Sequence, residues 1–106
     1  MPVLQAGGVS IVTQNGGYNE GWFFNYREMA SAAIRDVRVR QAIAMALDRE
    51  AICQDLLLGL AQPAETYWDA LPQYVSPDIE PWTYNPEEAM RLLEEAGWTD
   101  TDGDGI

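Results

Sequence analysis

Asp100, Asp102 and Asp104 stand at alternate positions with Gly105 behind the third, in the closing stretch DTDGDGI. That spacing matches the opening of an EF-hand-type calcium loop, where oxygen ligands alternate and a glycine permits the sharp bend. The stretch stops before the bidentate acidic residue such a loop needs at its twelfth position. Asp-Gly sequences also form tight turns for conformational reasons alone, because aspartate bonds its own backbone and glycine accepts positive φ. A structural turn is therefore the favoured reading. A small calcium-binding interaction module using Asp100, Asp102 and Asp104 is the alternative.

Other reactive side chains reduce to plainer roles. Arg38, Arg40 and Arg49 lie close in sequence to Asp36, Asp48 and Glu50, which suits helix-surface ion pairs better than an anion site. Cys53 is the sole cysteine and the chain has no histidine, so neither a zinc site nor an activated thiol is expected; the thiol should pack between Ile52 and Leu56. The 17 acidic residues could include a hydrolase pair, but no spacing singles one out. No catalytic residue and no cofactor is assigned.

The elements that must position these residues follow from periodicity. Residues 9–13 and 22–26 are rich in β-branched and aromatic side chains and are joined by QNGGYNEG, whose Asn15-Gly16 pair is a turn signal; a β-hairpin or two neighbouring strands are expected. From Asp36, a helix N-cap, Val39, Ala42, Ile43, Ala46 and Leu47 make one apolar stripe at helical spacing. Asp48 caps a fresh start that closes at Gly59, so two helices or one kinked helix span residues 36–59. Five of the six prolines, interleaved with Tyr67, Trp68, Tyr74, Trp82 and Tyr84, predict a long aromatic loop packed over a neighbouring surface. Asn85 then caps a helix with Pro86 at its first position, Ala89, Leu92, Leu93 and Ala96 on its buried face, and Gly97 as its stop.

At 106 residues the chain supports one domain that should bury roughly two thirds of its unfolded surface. A net charge of −11 repels phosphates and anionic lipid, which sets nucleic acid and membrane-surface binding aside. Hydrophobic content of 47% with four Trp and five Tyr excludes a disordered chain, and no apolar run is long enough to span a bilayer. The opening MPVLQAGGVSIVTQNGG lacks a secretory signal pattern, so the protein is cytoplasmic or the numbering begins inside something larger.

Three stretches in order, DVRVRQAIAMALDREAI, YNPEEAMRLLEEAGW and DTDGDGI, resemble the extracellular solute-binding proteins of ABC importers, family 5, which includes oligopeptide-, dipeptide- and nickel-binding proteins. Phe24-Asn25, the Asp36 to Ala42 run, Asp48-Arg49, the Gly59 to Pro63 run and the Ala89 to Gly97 run match the family's motifs in order and spacing. The family's Pro-Phe pair before the first of these helices is absent, so the loop over residues 26–35 is expected to be built differently.

The resemblance implies an α/β fold: part of the C-terminal lobe of a two-lobed, periplasmic-binding-protein type II-like architecture, short strands followed by three helices. All 106 residues would then be one fragment of that lobe. It implies a substrate-binding component of an ABC transporter that captures a small solute, of the peptide class, and passes it to permease subunits without itself spanning the membrane. The location would be periplasmic or extracellular, with lipid anchoring as one form. Tyr18, Glu20, Trp22 and Asn25 become the ligand-side candidates, since the family's strand into the Phe-Asn pair lines the cleft. Alternation places Glu20 and Trp22 on one face and Asn25 on the other, so not all can meet ligand.

Overall fold

The computed structural model describes residues 2–14, 16–28 and 31–103. Within them lie α1 (Pro2–Ala6), α2 (Ala32–Arg35), α3 (Val37–Ala46), α4 (Arg49–Ala51), which runs on into a π-helical turn over Ile52–Leu56, and α5 (Pro86–Glu95), with a 3-10 turn at Pro72–Tyr74.

The expected α/β architecture is overturned, because no β-strand forms among the described residues. The runs 9–13 and 22–26 keep their strand-favouring composition, but a strand exists only where neighbouring backbone completes its hydrogen-bond ladder. No backbone–backbone bond joins the two runs among the described residues, and a lone hairpin is marginal in water. Asn15, half of the expected turn, lies outside the described residues. The segment before α3, expected to be a loop, contains the short helix Ala32–Arg35.

The helices begin and end on the residues whose chemistry caps them. The Asp36 carboxylate accepts from the Arg38 N–H to open α3. Asp48 accepts from the Ala51 N–H at 2.8 Å to open α4, and Asn85 accepts from the Glu88 N–H at 3.1 Å to open α5. Each cap satisfies a backbone donor that the helix itself leaves without a partner. Pro86 sits at the start of α5, where its missing N–H costs nothing, and Glu87 and Glu88 complement the helix dipole. Gly97 ends that helix at φ 86°: its N–H reaches the Glu94 carbonyl and the Trp98 N–H reaches Leu93, a Schellman-type closure that favours a left-handed glycine.

α3 and α5 form an antiparallel pair that is tied at both ends. The Asn85 N–H donates to the Met45 carbonyl at 2.8 Å, and the Arg38 guanidinium donates to the Glu95 carbonyl at 2.6 Å. Between these ties the core is narrow: Val39 and Ala42 from α3, Ala89 from α5 and Cys53 from the π-helical turn are the buried hydrophobics among the described residues. Ala42 at 1% exposure and Ala89 at 2% bring the helices close because their side chains are short. Ile43, Leu47, Leu92 and Leu93 are half-buried, and Ala46 is exposed despite its place on the stripe.

The accessible surface is 8894 Å². A compact monomer of 11.8 kDa would expose roughly 5,900 Å². About half of the unfolded surface is buried rather than the expected two thirds. The radius of gyration, 18.1 Å, likewise exceeds the roughly 13 Å of a compact chain this long.

Candidate functional site

The long loop after the π-helical turn meets Arg49 at both of its ends. One guanidinium nitrogen donates to the Ala64 carbonyl at 2.7 Å, and the other donates to the Trp82 carbonyl at 2.7 Å while standing 3.4 Å from the Glu65 carboxylate. A planar fork can hold two carbonyls at fixed separation, so one side chain on α4 gathers both ends of the loop. The two ends, with Leu47 and Glu50, also line a cleft of about 230 Å³.

Glu65 leads directly into a turn held by Asp69. The Asp69 carboxylate accepts from the Glu65 N–H at 2.6 Å, the Thr66 N–H at 2.8 Å and the Thr66 hydroxyl at 2.5 Å. The Thr66 hydroxyl bond, then the Glu65 N–H, holds the Asp69 carboxyl below its usual range. The turn carries Tyr67 and Trp68, whose rings meet edge to face at 5.4 Å, with Trp68 also 6.1 Å from Tyr74. Edge-to-face contact sets the positive rim of one ring against the negative face of the other. The loop aromatics are exposed, and these three pack on one another, not over a core as expected.

This turn faces the glycine-rich segment near the N-terminus. The Asn19 side-chain amide donates to the Tyr67 carbonyl at 2.6 Å, and Gly16, Gly17, Tyr67, Trp68, Ala70 and Leu71 line a cleft of about 500 Å³. Aromatic, small and apolar residues make up this lining, a composition that suits an apolar or planar group.

The residues singled out from sequence are not among those that line this cleft. Tyr18 is 97% exposed, and Glu20, Trp22 and Asn25 are also exposed; none lines either cleft. The Asn25 side-chain oxygen accepts from the Arg27 N–H at 3.0 Å, which uses it in a local turn. Asn19, Asp69 and the reach of Arg49 escaped the sequence reading. The Thr66-x-x-Asp69 spacing signals a hydroxyl-and-carboxylate turn, whereas nothing in sequence marks Asn19 or Arg49 as long-range donors.

The aspartate-rich end behaves as a turn in its described part: Asp100 accepts from the Gly103 N–H at 2.7 Å, and Gly103 has φ 76°. Asp104 and Gly105 lie outside the described residues. Among the described residues no group of three His, Cys, Asp or Glu side chains is placed to hold a metal ion, and the calcium-module alternative finds no support. No helix among them is long and apolar enough to cross a membrane.

Over residues 2–106 the chain matches the bacterial extracellular solute-binding proteins, family 5 Middle, and it belongs to that family. Oligopeptide-binding protein AppA of Bacillus subtilis (strain 168) is 42% identical over 74 residues, which cover 68% of this chain and 14% of that protein. A Brucella ovis protein with the provisional name of an ABC transporter peptide-binding protein is 41% identical over 69 residues, 65% of this chain and 13% of its own. The nickel-binding periplasmic protein of Escherichia coli (strain K12) is 33% identical over 70 residues, 66% and 13% of the two chains. The matched stretch thus spans about one seventh of the length of these relatives. No solved structure matches the chain.

Proposed function

We propose that the chain is part of the substrate-binding component of an ABC importer, which captures a small solute of the peptide class outside the cytoplasm and delivers it to permease subunits in the membrane. The family match over residues 2–106 carries this reading, and two relatives whose names specify peptide or oligopeptide binding support the solute class. The location that goes with it is periplasmic or extracellular. The mechanism is binding by closure of two lobes, not chemistry, and these residues contribute to the C-terminal lobe. In this reading Tyr18, Glu20, Trp22 and Asn25, all exposed, present aromatic and polar groups toward the solute.

The excess of exposed apolar surface accords with a lobe completed by further chain: Leu56 at the end of the π-helical turn and Leu58 and Leu60 beyond it stand exposed, and Phe23 and Tyr18 stand exposed before α2. Titration calorimetry against a library of short peptides tests the reading on both the full-length protein and the 106-residue chain. Peptides are expected to bind the former and to bind the latter at least a hundredfold more weakly, about 2.7 kcal/mol, because half a pocket leaves the solute solvated on one side. Equal affinities would place the whole site within these residues and overturn the lobe assignment. Absence of peptide binding by the full-length protein would overturn the solute class.

A further inference from the structure

We propose that Arg49 is the positioning residue of the aromatic cleft, acting through a relay of hydrogen bonds and the short backbone between them that runs from α4 to the glycine segment. This inference rests on the reading of the chain as part of a solute-binding lobe. The series begins at the guanidinium, which holds the Ala64 carbonyl at 2.7 Å and stands 3.4 Å from the Glu65 carboxylate. The Glu65 N–H passes the constraint to the Asp69 carboxylate, which also grips the Thr66 N–H and hydroxyl. The next residues are Tyr67, whose carbonyl is held by Asn19, and Trp68, whose N–H returns to the Thr66 hydroxyl at 3.0 Å.

The two ends of this loop meet on the same side chain. The Trp82 carbonyl is held by the Arg49 guanidinium at 2.7 Å, so the segment that departs from α4 and the segment that returns to α5 share a single anchor. Tyr67 and Trp68 are exposed, and their ring contacts are with each other and with Tyr74 of the same loop, so packing restrains them only against the loop itself. Their place opposite Gly16 and Gly17 is therefore set by hydrogen bonds, and Arg49 supplies those that connect the turn to a helix. The expected consequence is that solute affinity depends on Arg49 although its side chain is spent on backbone carbonyls and the Glu65 carboxylate, not on ligand.

The test uses the full-length protein with Arg49→Ala, Arg49→Lys, Glu65→Gln and Asn19→Ala, and reads acrylamide quenching of tryptophan fluorescence together with affinity for the short-peptide library. Arg49→Ala is expected to raise quenching and to weaken peptide binding about tenfold, the scale of lost hydrogen bonds to a charged group. Arg49→Lys, able to hold a carbonyl as a point donor, should recover part of both, and Glu65→Gln, which leaves the carbonyl bonds in place, should weaken binding less than Arg49→Ala does; an equal loss would assign the effect to the ion pair and overturn the carbonyl route. Such graded rescue would not follow from general loss of stability. Should Arg49→Ala melt the helices, Asn19→Ala decides, since it cuts the series at its far end outside any helix: weaker binding supports the proposal and unchanged affinity overturns it. Unchanged quenching and affinity in a folded Arg49→Ala protein would also overturn it. If the wild-type protein binds no peptide, the solute-class reading fails visibly at the outset, and quenching alone then decides whether Arg49 positions the cleft's aromatic residues.

Discussion

Asp36 performs two tasks with one carboxylate, capping α3 through the Arg38 N–H at 2.9 Å and accepting the Arg38 guanidinium on both oxygens, at 3.1 and 2.6 Å. The Arg38 side chain, with its own N–H, lowers the Asp36 carboxyl from 3.8 to about 2. A carboxyl depressed in the folded state contributes stability above its unfolded value near 3.8 and loses it as pH falls through about 2. The difference in melting temperature between wild type and Asp36→Asn should therefore be full at neutral pH and close between about pH 4 and pH 2. A difference that stayed constant with pH would show that the ion pair contributes nothing. Gly97 carries a different constraint, its left-handed φ of 86°, and nothing crowds the position. Gly97→Ala should still cost about 1 kcal/mol in chemical denaturation, since a Cβ disfavours that backbone conformation.

Antiparallel packing of α3 and α5 depends on small side chains at the contact and polar ties at the ends. Ala89 is 2% exposed, so a larger side chain there has no room to grow and would force the helices apart. Ala89→Leu should therefore destabilise by about 1–3 kcal/mol. Truncating a fully buried leucine to alanine costs about 2–5 kcal/mol. Leu93 is half-buried, which places Leu93→Ala near the bottom of that range. Urea titrations of both variants check the pair: a neutral Ala89→Leu would mean the helices are not in close contact. Arg91 binds Glu88 and Glu95 on the exposed side of α5, but both partners lie on its own helix, so this network supports the helix and not its packing.

The molecule as a whole has an accessible surface larger than that of a compact chain of its mass. Its extents of 56 × 36 × 28 Å describe an elongated body. Tyr18, Phe23, Leu56 and Leu58 are among the large side chains left in water. In isolation the 106-residue chain should bind a hydrophobic dye and associate with rising concentration, both suppressed in the full-length protein. Sedimentation at several concentrations together with dye fluorescence checks this; a monodisperse chain that excludes dye would show that the apolar faces fold onto each other in solution.

Local chemistry made the helices legible in sequence. Asp36, Asp48 and Asn85 announce their caps, Pro86 and Gly97 bracket α5, and three of the family motifs lie on these same elements, because a cap or a left-handed glycine needs only its near neighbours. The strands were not legible in the same way. The composition of residues 9–13 and 22–26 expresses a preference for extended backbone, but pairing is a property of whatever lies alongside, and no ladder forms among the described residues. The cleft was hidden for a related reason: Asn19 meets Tyr67 across 48 positions, and Arg49 meets Trp82 across 33. The sequence alone determined where α3, α4 and α5 start, where α5 stops and which family the motifs belong to; the stops at Ala46 and Leu56, short of the expected close at Gly59, came from the structure. Tertiary structure alone decided which arginine gathers the loop and which glycines face its aromatics, since hydrogen bonds between distant segments leave no periodic trace in the chain.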